Sequence, residues 1–385
     1  MTTTKRPLRP RHSILWHSGR SCRCLLLVAA VLCVSPEHNL AQVVAADSLS
    51  ESFGGAFARW LDRTRLTLDL SRRSWSDPDS HGWRSATVVG VDLQHVFNSP
   101  SGDFGTLVFQ GFITGLHGPG ALPVVLDSGR DWDFAFRSVW FNFNALGRGF
   151  PSIRIGHFEV PFGLEHSVDT NGWLRQTIKA RNLGLIGDWG VSVNGVIPGL
   201  EYEASLTRGT NQDWTSEGGP VLIGARVATP RWRGRWIGVS LARGRVLSPG
   251  GAALWRAGLD DASSVDETDA IVERTRVGLE GGVGWRRFEA QGEISIGSDF
   301  DQKVLNGLLE LDWEAYTQRA LIYLQWKHYG QQYVRGWVYD DTVVLGTRLW
   351  PSRSLATSAA VSLALRGFTG GAARGRLILQ LRYRT

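Results

Sequence analysis

A two-residue alternation, recurring from Arg63 to the end, constrains this chain more than any other feature. Phe288, Ala290, Gly292, Ile294 and Ile296 take one face of their segment; Arg287, Glu289, Gln291, Glu293 and Ser295 take the other. Leu200, Tyr202, Ala204 and Leu206 likewise oppose Glu201, Glu203, Ser205 and Thr207. Sixteen segments read this way: 63–74, 85–97, 105–116, 132–144, 152–158, 189–197, 200–208, 221–229, 236–245, 271–283, 286–296, 304–314, 319–329, 339–350, 355–367 and 373–384. In 105–116 and 132–144 the facing is ambiguous, because apolar residues sit on both sides. Period two is the signature of a strand with unlike faces. A sandwich would bury the second face in a dry core, and Arg, Glu, Asp and Gln cannot be absorbed there. A closed barrel, with lipid outside and water inside, accommodates both faces and leaves no edge. The expectation is an all-β, transmembrane, antiparallel up-and-down β-barrel of about 16 strands over residues 63–385, in the bacterial outer membrane.

Of the 385 residues, 43% are hydrophobic and 20% charged, which excludes a disordered chain. Mean hydropathy is −0.12. The one continuous apolar stretch, Cys24 to Val34, is about half of the roughly 20 residues a membrane helix needs, so a helical transporter is excluded. That stretch follows Lys5, Arg6, Arg9, Arg11, Arg20 and Arg23 and precedes Ala41, Ala45 and Ala46. Residues 1–46 therefore read as a cleaved secretory signal. The whole chain has 42 basic and 36 acidic residues. Removing residues 1–46 takes away six and one, leaving 36 and 35 and a net charge of +1. Overall basicity thus gives no case for a nucleic-acid partner. All three cysteines, Cys22, Cys24 and Cys33, leave with the signal, which excludes disulfide scaffolds and thiolate metal sites. Residues 47–62 place Leu49, Phe53, Phe57, Trp60 and Leu61 at helical spacing, a short amphipathic segment.

Tryptophans fall near the predicted strand ends, at Trp75, Trp83, Trp132, Trp189, Trp236, Trp285, Trp313, Trp337 and Trp350, as interfacial girdles require. The last segment alternates Leu377, Leu379, Leu381 and Tyr383 but ends in Thr385 rather than an aromatic. Glu159 to Asp188 is the longest early connection. It carries Pro161, Gly163, Glu165, His166, Asp169, Arg175, Lys179 and Arg181. Its position after the fifth strand and its charge make it the candidate for a loop that folds into the lumen and narrows it.

The run Arg154-Ile-Gly-His-Phe-Glu-Val-Pro-Phe-Gly-Leu-Glu165 resembles the G-x-F-x-x-P-F-G-x-E segment of the phosphate-selective porin O/P family. The stretch from Trp173 through Arg181, Gly190 and Gly195 to Tyr202 is similar to that family's loop and next hairpin. The match covers about 55 residues; the remainder agrees in strand pattern alone. The resemblance implies a sixteen-stranded trimeric outer-membrane channel for small hydrophilic solutes, anions such as phosphate among them.

Strand phase puts Arg137, Arg154, Arg226, Arg274 and Arg276 on the inner face, and these join Glu165, His166, Asp169, Arg175, Lys179 and Arg181 as candidate pore-lining residues. Arginine keeps its charge and offers a planar fork to phosphate or carboxylate. Glu201, Glu203, Glu280, Glu289, Glu293, Glu310 and Asp312 share that face, so pairing would leave a weakly selective lumen. Two other readings stand beside it. A barrel enzyme needs a nucleophile, a base and an orienting acid. His157 and Glu159 share a strand face and Glu165 adjoins His166, but no histidine accompanies a G-x-S-x-G motif. A structural or adhesive barrel predicts long surface loops, and Val246–Ala270, with Asp260, Asp261, Asp266, Glu267 and Asp269, is the longest other gap. The reading is a porin in outer-membrane lipid, a homotrimer, with no catalytic residue, no cofactor and no metal.

Overall fold

The computed structural model describes residues 60–77, 82–100, 102–117, 132–144, 150–164, 173–212, 214, 219–231, 234–248, 270–333, 336–367 and 374–385. The expected signal, residues 1–46, and 47–59 of the amphipathic segment lie outside them; Trp60 to Asp62 are helical. Arg63–Thr385 forms one compact unit.

Its strands are β1 (Thr64–Asp77), β2 (Gly82–Ser99), β3 (Gly102–His117), β4 (Trp132–Phe143), β5 (Ser152–Glu159), β6 (Gly187–Ile197), β7 (Leu200–Thr207) and β8 (Val221–Ala228). They continue as β9 (Arg235–Ser248), β10 (Ala270–Trp285), β11 (Phe288–Asp299), β12 (Gln302–Tyr316), β13 (Ala320–Tyr333), β14 (Gly336–Leu349), β15 (Leu355–Arg366) and β16 (Arg374–Arg384). Each pairs antiparallel with its sequence neighbours, and β1 pairs with β16, from Asp69 opposite Arg384 to Trp75 opposite Ile378. The sheet is a closed barrel of sixteen strands, each at a segment where the alternation places one.

The alternation sorts side chains as a lipid-facing barrel demands. Leu279, Ile294 and Leu309 are exposed on the outside, whereas Glu280, Glu293 and Glu310 are buried. Phe288 stacks on Trp313 at 6.2 Å, beside exposed Trp285 and Tyr316, at the end where the connections are short. Trp83 and Trp337 are exposed at the other end. Trp75 and Trp236 depart from the girdle: both are buried.

One end of the barrel has short connections, such as 198–199, 286–287 and 317–319; the other has long ones, such as 118–131, 160–186 and 249–269. Outer-membrane barrels keep their short turns on the periplasmic side, so the long connections mark the extracellular end. Among the described residues, four register shifts interrupt the ladder, one of them in β12 between Trp313 and Tyr316. In β4, Gln110 faces Ser138 and Gly111 faces Phe136, so Arg137 is an extra residue. A similar shift in β15 leaves Leu365 extra, and another lies in β3 near Phe104. An extra residue reverses the facing of everything beyond it. This explains the ambiguity of 132–144.

Candidate functional site

The connection from β5 to β6 turns into the barrel. Two glycines of the 154–165 run make that departure possible. At Gly156 (φ 132°) a Cβ would overlap the Val139 carbonyl and lie 2.8 Å from the Trp140 Cα, so β5 approaches β4 more closely than a side chain allows. At Gly163 (φ 65°) a Cβ would meet the Glu293 carboxylate. Only glycine adopts such backbone freely. Gly163 N–H donates to Ser240 Oγ (3.0 Å), and Leu164 N–H donates to Glu293 Oε2 (2.9 Å). Both acceptors belong to the inner face of the far wall.

After residues 165–172, outside the described set, the segment continues along that wall. The Trp173 ring lies between two guanidiniums, Arg348 at 3.4 Å and Arg382 at 4.1 Å from its centroid, and its carbonyl accepts from Arg73 Nη2 (3.2 Å). Arg175 pairs with Asp312 and with Glu310 Oε1 (3.1 Å). A single helical turn, α1 (Lys179–Leu183), follows. Arg181 pairs with Asp340 (2.6 Å) and stacks on Tyr329 at 3.8 Å. Asn182 is a fully buried hub: its amide donates to Ser295 Oγ (2.7 Å) and Glu293 Oε1 (3.3 Å), and its Oδ1 accepts from Asn306 Nδ2 (2.7 Å) and Arg276 Nε (3.0 Å).

Apolar contacts reinforce these. Val160, Phe162, Leu183 and Leu185 pack with Leu222, Ala242 and Val246 of β8 and β9. Leu164 and Ile178 pack with Trp236, Leu308 and Tyr329, and Leu174 with Tyr323, Val344 and Ala360. Residues 160–164 and 173–186 therefore lie inside the barrel, held by a wall that runs from β8 to β16 and on to β1.

The sequence-derived residues fall into distinct settings. Arg226 donates to Glu280 (2.6 Å) and Glu201 (3.0 Å), and Ser240 also binds Glu280 (2.7 Å). Arg274 and Arg276 share Asp299, at 2.7 and 2.8 Å. Arg154 pairs with Glu203 (2.9 Å), which also accepts from Ser192 (2.7 Å). Lys179 is buried and donates to the Val160 carbonyl (2.7 Å), so it ties the two arms of the segment together. Arg137, the bulge residue, binds Glu159 (Nε to Oε1, 3.0 Å). Glu159 shares the strand face of exposed Ile155, opposite to that of Arg154, so the inward phase expected for Arg137 gives way to the bulge. Glu165, His166 and Asp169 lie outside the described residues. Sequence reading missed Asn182, which carries no charge to signal it, and Trp173, which it took only as part of the loop. It also missed Asp299, the last residue of β11, three residues beyond the segment read from the alternation. His157, weighed for an enzyme, is buried between Phe136 (4.9 Å) and Trp189 (5.5 Å), and its Nδ1 meets the Arg137 carbonyl (2.9 Å).

No protein-family model matches the sequence, and no curated protein matches it. Solved structures do. A loop-deletion mutant of OmpT, an outer membrane protein of Vibrio cholerae, is 11% identical, with a TM-score of 0.60 over 84% of this chain and 99% of that one. The anion-selective porin from Comamonas acidovorans is 13% identical, with a TM-score of 0.58 over 84% and 99%. The outer membrane channel DcaP of Acinetobacter baumannii is 9% identical, with a TM-score of 0.58 over 84% and 97%. At such identities the likeness is one of fold. This chain is a bacterial outer-membrane β-barrel with the fold of the outer-membrane porins and channels.

Proposed function

We propose that the protein is a porin of the phosphate-selective O/P type, through which small hydrophilic solutes diffuse passively, with weak preference among ions. The observation that carries this is the state of the lumen cations. Arg154, Arg175, Arg181, Arg226, Arg274 and Arg276 each meet a carboxylate, and Lys179 meets a carbonyl. Paired charges leave a transverse field but little net potential, so anions gain no strong advantage. The mechanism is diffusion down a gradient, with no catalytic step and no cofactor. The passage lies between residues 160–164 and 173–186 on one side and the wall of β2 to β4 on the other. The 154–165 run supports the family assignment, because its glycines release β5 into the lumen. Residues 1–46 are the cleaved signal. The assembly is a homotrimer, in line with the OmpT structure from Vibrio cholerae described as a trimer form.

The test is single-channel recording in planar bilayers across a salt gradient, with and without phosphate. Stable open steps, a small reversal potential and no phosphate block are expected. A strong anion preference with phosphate block would replace weak selectivity by a dedicated anion site. A folded barrel that conducts nothing would end the channel reading. Unheated gel mobility and N-terminal sequencing of the mature protein check the trimer and the cut after Ala46.

A further inference from the structure

The outer wall carries a second set of charges, unconnected to the lumen. Along β9 the outward face runs Ile237, Val239, Leu241 and then Arg243 and Arg245. On β10 it runs Val283, Leu279, Val277 and then Thr275 and Glu273; on β11, Ile294, Ile296 and then Ser298; on β12, Leu311, Leu309, Leu305 and then Lys303. The switch falls at one step of the register on all four strands. Leu241 faces Val277, Val277 faces Ile296, and Ile296 faces Leu305. One step toward the long connections, Arg243 faces Thr275, Thr275 faces Ser298, and Ser298 faces Lys303. A further step brings Arg245 opposite Glu273.

Arg243, Arg245 and Lys303 are exposed, and among the described residues they enter none of the protein's ion pairs. On the neighbouring strand β8, Val221 and Ile223 face Arg245 and Arg243, and both are exposed apolar side chains. Leu247 and Ile271 follow on the same face beyond Arg245 and Glu273, so these cations stand in the upper margin of the lipid-facing band with apolar side chains on either side. An arginine on a barrel's lipid face costs about 2–4 kcal/mol at the midplane and about 0–1 near the interface, so the position suits an anionic headgroup rather than acyl chains. Arginine forks bind phosphate by two parallel hydrogen bonds. Arg243 and Arg245 stand two residues apart on one face, about 7 Å by strand geometry, so both forks reach one phosphate. Thr275 and Ser298 add hydroxyls. Glu273 is the one acid among these outward residues, beyond Arg243 on the side of the connections, and it leaves a net charge of +2. The connections at this end are the long, extracellular ones, so the lipid met there is that of the outer leaflet.

We infer that Arg243, Arg245 and Lys303, with Thr275 and Ser298, form an outer-wall site for the phosphates of the outer leaflet's phosphorylated glucosamine glycolipid. Charge complementarity and the register of the polar row select this occupant; a phospholipid of the inner leaflet would meet the opposite end of the barrel.

The test uses the full barrel in dodecyl maltoside and native mass spectrometry. The probes are bisphosphorylated lipid A, its dephosphorylated form and phosphatidylglycerol. Wild type is expected to retain bisphosphorylated lipid A at least tenfold better than either other lipid. R243E/R245E is expected to lose that preference, R243K/R245K to keep most of it, and R287E, at the periplasmic turn, to leave it unchanged. Heat-shifted gel mobility confirms that each variant is folded. Equal retention of the dephosphorylated lipid would overturn the site, as would undiminished binding by folded R243E/R245E. Equal retention of phosphatidylglycerol would overturn the choice of occupant.

Discussion

The wall from β9 to β14 and the wall from β2 to β4 both face the barrel interior, yet they carry unlike chemistry. The first presents Glu280, Glu293, Glu310, Asp312, Arg274 and Arg276, all buried, and residues 160–164 and 173–186 pack against it. The second turns Val88, Val96, Val108, Phe112 and Trp140 inward, between Asp92, Gln94 and Gln110, and all five apolar side chains are only half-buried. The difference shows that the charge on a lumen wall is not the charge a solute meets. Where acids and arginines are dense, they bind each other and the inserted segment, because an unpaired charge there costs several kcal/mol. In the proposed channel, the wall left to solutes is the sparsely charged one.

The largest effect expected from breaking this contrast lies in the charged wall. Arg276 binds Asn182, Asp299 and the carbonyls of Thr275 and Ser298, and it is 1% exposed. Arg276→Ala releases Asn182, leaves the Thr275 and Ser298 carbonyls without their donor and leaves Asp299 to Arg274 alone, at a cost of about 3–5 kcal/mol. Thermal unfolding in detergent should fall clearly, and single channels should become larger and noisier as the segment loosens. Adding Asp299→Asn should deepen the melting loss, because it takes the carboxylate from Arg274 as well. A variant that melts early but conducts as wild type does would mean the segment does not limit flow.

A second comparison sets the outside against the inside. Leu279→Arg places a cation in the middle of the lipid face and is expected to cost about 2–4 kcal/mol, read as early melting and poor assembly. If it is tolerated as well as an arginine on the inner face, the facing of β10 is wrong. Next in size is Trp173→Leu. Losing the ring between Arg348 and Arg382 should cost about 1–2 kcal/mol and raise the frequency of brief closures, with mean conductance little altered.

Much of this architecture was legible in the residues. Period two, with charge on one face and aliphatics on the other, leads to a closed barrel because no other strand arrangement solvates both faces. The inserted connection was legible from its position after the fifth strand, its length and its charge. Three things were not. A bulge is a local backbone event with no period of its own, so strand phase put Arg137 on the inner face, whereas it is the extra residue of β4 and pairs with Glu159. Pairing depends on which strand lies opposite, so Arg226 with Glu280, 54 residues away, was beyond strand phase alone. Asn182 joins four side chains through one neutral amide, and neutral residues leave no mark in a search for charge.

The smallest effect is also the most discriminating. Val108 faces inward between Gln94 and Trp140 on the sparsely charged wall. Val108→Arg puts a guanidinium there without a designed partner and should leave stability nearly unchanged. A unit charge about 10 Å from a permeating ion in water contributes ~0.4 kcal/mol, about twofold in relative permeability. The reversal potential should therefore move toward anions by that modest factor and return as salt rises, since screening shortens the reach of the charge. Arg137→Gln removes a cation on the Ile155 side of the wall and should leave the reversal potential where it was. If Arg137→Gln shifts selectivity while Val108→Arg does not, solutes pass along the other wall and the two halves exchange roles.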